Sequence, residues 1–68
     1  MKFTERFNEL ILTNHTNQTK LALHCLISKQ AITEMKAGRS YPSLDTLCRI
    51  ADFFDVSTDY LLGRTDTY

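Results

Sequence analysis

The residues that start and stop helices constrain this chain more than any other feature. Asn17, Ser28, Ser43 and Ser57 each stand just before a stretch of helical apolar periodicity. Side chains of these types accept hydrogen bonds from the free N–H groups that open a helix. Gly38 and Gly63 stand where two such stretches stop, and glycine readily supplies the left-handed residue that closes a helix. "TNHTN" (Thr13 to Asn17) breaks an earlier stretch, and Pro42 bars the helical conformation for Tyr41. What fits between these marks is five short helices.

Their apolar stripes are legible. Phe3, Phe7, Leu10 and Ile11 line a first helix, and Leu21, Ala22 and Cys25 a second. A third runs from about Lys29 to Ala37 with Ile32 and Met35 inward. The fourth, opened by Ser43, carries Leu44, Leu47, Ile50, Ala51 and Phe54. The fifth is "TDYLL", with Asp59 in its first turn, where the helix dipole favours an anion. No alternating run and no Asn-Gly or Asp-Gly turn points to a strand. The fold class expected is all-α, a compact five-helix bundle. At 68 residues the chain holds one domain, residues 1–68, with a core at about 3–63 and a short tail at 64–68. Beside such a core there is little room for a substrate cavity.

Formal net charge is zero, which at first argues against a polyanionic partner. The charges are nevertheless segregated. From Gln18 to Tyr41 the cations are Lys20, Lys29, Lys36 and Arg39, against Glu34 alone. From Ser43 to Leu62 the anions are Asp45, Asp52, Asp55 and Asp59, against Arg49 alone. The two cysteines, Cys25 and Cys48, have no metal-site or disulfide-framework spacing and read as small apolar core residues of a reduced, intracellular protein. The first apolar cluster is broken by Glu5, Arg6, Asn8 and Glu9, so no secretory signal is read there, and no run suits a membrane span. The expectation is a cytoplasmic protein. His15 and His24 lack partners at any catalytic or metal-ligand spacing, so no enzyme, metal, cofactor or small-molecule ligand is expected.

The second and third helices are joined by about three residues, which suits the crossed pair of a helix-turn-helix. In that motif the second helix enters the major groove of DNA and reads bases with its N-terminal residues. With Ile32 and Met35 inward, Lys29, Gln30 and Thr33 share the outer face, with Glu34 on its flank. Gln pairs with adenine, Lys donates to guanine, Thr offers a hydroxyl and a methyl, and Glu accepts from cytosine. Gln18 and Ser28 stand at helix N-termini, where free N–H groups bind phosphate. Arg39, Ser40 and Tyr41 follow as loop residues suited to grip the backbone. Each feature also has a plain reading, since a mixed polar face is equally a solvated one. On these residues alone both readings stay open.

The pattern Q-x-x-LA-x4-IS-x3-I-x5-G-x-x-YPSL-x-TL-x-x-IADFF-x-VS-x-DYLLG resembles the Xre family of Cro/repressor-type helix-turn-helix domains of bacteria and their phages. The likeness runs from about Phe7 to Arg64, and the tail "IADFFDVSTDYLLGR" is its most specific part. It implies a lambda-repressor-like DNA-binding fold. It also implies base contacts from Lys29, Gln30, Thr33 and Glu34, and backbone contacts from Gln18, Ser28, Arg39, Ser40 and Tyr41. Lys36 adds a further cation beside that face. Members of this length often dimerise through their C-terminal region, which points to Tyr60, Leu61 and Leu62, although Leu61 and Leu62 equally suit closing the core. Three departures stand out. Leu26 occupies a turn position that is often Gly, His15-Thr16 replaces a usual Gly-Leu, and Ile11 and Lys36 stand where many members place an Arg–Glu pair.

The function expected is a sequence-specific regulator of transcription that binds double-stranded DNA. A repressor is favoured because it needs only to occupy a promoter, and a homodimer on an inverted-repeat operator because members of the family it resembles often dimerise through their C-terminal region. The competing readings are a protein-interaction module or an antitoxin on the same fold. A net charge of zero implies weak non-specific binding.

Overall fold

The computed structural model describes Met1–Tyr68. It contains five α-helices and no strand: α1 (Phe3–Thr13), α2 (Gln18–Cys25), α3 (Lys29–Lys36), α4 (Leu44–Phe54) and α5 (Thr58–Leu62). The starts follow the cap residues. Asn17, Ser28, Ser43 and Ser57 each accept a hydrogen bond from the main-chain N–H three residues on, at Lys20, Ala31, Thr46 and Tyr60 respectively. Only α1 begins without a side-chain cap. The third helix ends at Lys36, one residue before the expected boundary, because Ala37 forms the cap ahead of Gly38.

The stops share one geometry. His15, Leu26, Gly38, Asp55 and Gly63 all have positive φ, from +49° to +79°. In each case the following N–H reaches back five residues to a helical carbonyl: Thr16 to Ile11, Ile27 to Ala22, Arg39 to Glu34, Val56 to Ala51 and Arg64 to Asp59. Each closure turns the chain sharply while satisfying carbonyls that the helix leaves free. Glycine is demanded most strictly at Gly63. A Cβ there would lie 2.8 Å from Lys2 Cβ, because the chain start packs over the end of α5.

The core gathers Phe3, Phe7, Leu10 and Ile11 of α1, Leu21, Ala22 and Cys25 of α2, and Ile32 and Met35 of α3. Leu47, Ile50 and Ala51 of α4 and Tyr60 and Leu61 of α5 complete it. Two expectations are corrected. Leu44 is 82% exposed, since it is the first residue of α4 and its side chain lies beyond the packed turns. Cys48 is also exposed, facing away from Leu47 and Ile50, whereas Cys25 is fully buried. Burial pushes the Cys25 thiol above its ordinary range, with nearby Arg49 opposing. Packing joins α2 to α3 and α4, α1 to α3 and α5, and α4 to α5. The third helix is thus held by α1 and α2. No helix is long and apolar enough to cross a membrane.

Two polar side chains tie the ends of this arrangement together. Asn8 Nδ2 donates to Lys36 O (2.9 Å) and to Thr4 O (3.0 Å), pinning the end of α3 onto α1. Arg6 Nη1 donates to Tyr60 O (3.0 Å) and Thr65 O (2.8 Å), and Arg6 Nη2 to Asp66 Oδ1 (2.8 Å). Its guanidinium also lies 4.2 Å from the centre of the Tyr60 ring. Together with a bond from Ser57 N to Tyr68 O (2.8 Å) and contact between the Tyr60 and Tyr68 rings, this holds the C-terminal residues against α1 and α5.

Candidate nucleic-acid interface

The turn between α2 and α3 sets the geometry. Leu26 takes φ +59° and ψ +40°, so α2 stops at once and Ser28 opens α3 two residues later. The side chain of Leu26 is 74% exposed, so the conformation is held by the backbone closure rather than by packing of this residue. Ile32 and Met35 anchor the inner side of α3, and helical periodicity turns Lys29, Gln30 and Thr33 outward, all three exposed.

The first residues of α2 and α3 open onto a common surface. Lys29 Nζ lies 3.5 Å from Thr19 Oγ1, a long contact that spans from the start of α3 to the start of α2. At each start the cap residue satisfies one N–H by its side chain, from Lys20 in α2 and from Ala31 in α3. The main-chain N–H groups of Gln18 and Thr19, and those of Lys29 and Gln30, precede the first capped group and have no hydrogen-bond partner in the bundle. Two helix N-termini with Lys29 between them make a surface suited to phosphate oxygens. Thr19 belongs to this surface, and its place follows only from the angle between α2 and α3, which no local sequence signal carries.

The side chains of α3 are already partly committed. Thr33 Oγ1 donates to Lys29 O (3.1 Å), leaving its methyl and its oxygen lone pairs outward. Glu34 Oε2 accepts from Arg39 Nε (2.7 Å), and Glu34 Oε1 accepts from Arg39 Nη2 (3.2 Å) and from Gln30 Nε2 (3.1 Å). The hydrogen bond from Arg39 holds the Glu34 carboxyl below its ordinary value, and the same bond raises Arg39. Arg39, expected as a loop cation for the backbone, is therefore coupled through Glu34 to Gln30 on the outer face of α3.

The other expected residues distribute as follows. Ser28 spends one lone pair on Ala31 N and keeps its hydroxyl proton to donate. Lys36 sits in the last turn of α3, its carbonyl taken by Asn8. Ser40 lies in the α3–α4 connection, partly buried. Tyr41, exposed, sets its ring edge-on to Phe3 with centroids 6.2 Å apart. Tyr60 and Leu61 are in the core, and Leu62 is partly buried beside it. In this chain the apolar area of Tyr60 and Leu61 closes the bundle, leaving Leu62 as the member of that trio with surface to offer.

A helix-turn-helix family model matches residues 9–61. Over 63 residues, 93% of this chain, the sequence is 34% identical to an HTH-type transcriptional activator of Enterococcus faecalis, BcrR. Over 64 residues, 94% of the chain, it is 33% identical to an uncharacterized HTH-type transcriptional regulator of Bacillus subtilis strain 168, YobD. The chain spans 31% of the first of these relatives and 57% of the second.

Proposed function

This chain belongs to the helix-turn-helix family of transcriptional regulators, and from that premise we propose that it binds double-stranded DNA sequence-specifically through α3, as a homodimer on an inverted repeat, and represses transcription. The observation that carries this reading is the shared outer surface of the two helix starts. The free N–H groups of α2 and α3 flank Lys29, and Gln30 and Thr33 stand beside it on a face with no partner in the bundle. Phosphate contacts from the helix ends would set the register, while Lys29, Gln30 and Thr33 meet base edges. Lys36, Ser40 and Tyr41 border the same region and supply backbone contacts.

Repression is favoured over activation because occupying a promoter needs only this surface. The E. faecalis relative is named an activator, but the matched stretch is 31% of that protein. The test is selection of bound duplexes from a randomised library at near-physiological salt. The expected outcome is an inverted repeat with half-sites centred about 10 base pairs apart. A double substitution, Lys29→Ala with Gln30→Ala, is expected to abolish the sequence preference while leaving the helical circular dichroism unchanged. If no sequence is enriched and residual binding vanishes with modest salt, the reading fails and the fold serves as a protein-interaction module instead.

A further inference from the structure

Glu34 is the one acidic side chain on the face assigned to bases, and its carboxylate is occupied by three donors. Gln30 lies one turn earlier on α3. Arg39 comes from beyond the closure at Gly38, where the Arg39 N–H bonds to Glu34 O at 3.0 Å and so holds residue 39 beside residue 34. A carboxylate only accepts, so the contact fixes the Gln30 amide: its NH2 turns toward Glu34 and its carbonyl oxygen turns away. Arg39 closes the other side with two N–H groups of its fork.

Resting on the DNA-binding reading above, we propose that Glu34 is a positioning residue that fixes the Gln30 amide for adenine, and that it reads no base itself. With one N–H spent on Glu34, Gln30 has one N–H and one carbonyl oxygen left to present. That pair matches adenine, whose N7 accepts and whose N6 amino group donates in the major groove. Guanine offers two acceptors there, N7 and O6. A free Gln can turn its NH2 to meet both, but an amide held by Glu34 sets oxygen against O6. Glu34 therefore acts by exclusion as much as by support. The same carboxylate occupies the guanidinium fork of Arg39, which would otherwise be the strongest guanine donor near this face.

The experiment repeats the duplex selection in parallel with the parent protein, Gln30→Ala and Glu34→Ala. In the parent, one position in each half-site is expected to favour adenine over guanine by on the order of tenfold or more. Gln30→Ala loses preference at that position. Glu34→Ala keeps the other positions but brings adenine and guanine there to within about twofold of each other. An unchanged adenine preference in Glu34→Ala overturns the proposal, as does loss of a cytosine preference, which would make Glu34 a base reader. Enrichment of nothing by the parent overturns the DNA-binding reading and this proposal with it. An independent readout needs no DNA. The side-chain amide resonances of Gln30 are expected to move as Glu34 is titrated with acid and to stay still in Glu34→Ala. Resonances that ignore the titration overturn the contact on which the proposal stands. Melting temperatures of the parent and Glu34→Ala should agree closely, because an exposed pair of this kind contributes little to stability.

Discussion

Removing Arg6 is expected to be the most damaging single change outside the apolar core. Its side chain is 11% exposed and reaches three groups more than fifty positions away in sequence. Two of these are main-chain carbonyls, at Tyr60 and Thr65, and hydrogen bonds from a charged donor contribute roughly 1.5–3 kcal/mol each. Tyr60 O also accepts from Gly63 N, and Thr65 is only partly buried, so the lower end applies to both. The stack on the Tyr60 ring adds roughly 0.5–2 kcal/mol. The ion pair with Asp66 adds almost nothing, because that carboxylate is 96% exposed. The effects overlap, and Arg6→Ala should cost roughly 2–4 kcal/mol, out of roughly 3–10 for a domain of this length. At roughly 4–8 °C per kcal/mol the melting temperature should fall by about 8 °C or more. Asp66→Asn should shift it by no more than a few degrees. The assay is thermal and urea unfolding by circular dichroism on both variants and their combination. If Asp66→Asn cost as much as Arg6→Ala, the exposed ion pair would be the dominant contact and the ranking used here would be refuted. A loss below about 1 kcal/mol in Arg6→Ala would equally refute it.

Other outcomes follow from single features. Thr16 Oγ1 is buried without a hydrogen-bond partner, so Thr16→Val should raise stability by about 1 kcal/mol in the same urea assay, and a loss would mean that the hydroxyl is satisfied. Leu26 holds a left-handed conformation with its side chain in solvent, so Leu26→Gly should be neutral or stabilising by up to about 1 kcal/mol, while Leu26→Ala, which keeps the Cβ, should gain nothing from the backbone. The Glu34 carboxyl is held below its ordinary value of 4.5, chiefly by the hydrogen bond from Arg39. A carboxyl depressed in the fold contributes stability above its unfolded value and loses it as pH falls through the folded one. Resonances of Gln30 and Arg39 should therefore be flat at neutral pH and shift in acid with a midpoint below the ordinary carboxyl value.

The fold was legible because apolar spacing and cap residues are local signals. Asn17, Ser28, Ser43 and Ser57 mark four of the five helix starts, and the inward stripes of α1, α2 and α3 are buried as the spacing implies. Helix ends were less legible. Gly38 and Gly63 announce the left-handed closure, but His15, Leu26 and Asp55 adopt it too; His and Asp favour it only weakly, and Leu not at all. At Leu26 the backbone closure, Ile27 N to Ala22 O, holds a conformation that the local preference opposes. Leu44 and Cys48 misled for a different reason. At the first turn of a helix, and at its flank, periodicity fixes direction but not whether a neighbour is present to pack against. The outer face of α3 was readable as polar. That Glu34 gathers Gln30 and Arg39 was not, since it depends on the turn at Gly38 bringing residue 39 back beside residue 34.

The balance of charge gains its meaning from this packing. A domain of zero net charge would hold a polyanion poorly if its charges were mixed over one surface. Here the cations of the middle segment lie on α2, α3 and the loop that follows, while Asp45, Asp52, Asp55 and Asp59 lie exposed on or beside α4 and α5. The third helix is held by α1 and α2, so the anions stand on elements that do not frame its outer face. Screening further weakens repulsion between exposed charges beyond about 8–10 Å at physiological salt. On the proposed DNA-binding reading, attraction to phosphate therefore acts only at short range and rests on few contacts, so it depends only modestly on salt. A protein held so loosely by the backbone depends on base contacts for its residence on a site. That dependence raises the importance of how Gln30 is oriented, and hence of Glu34.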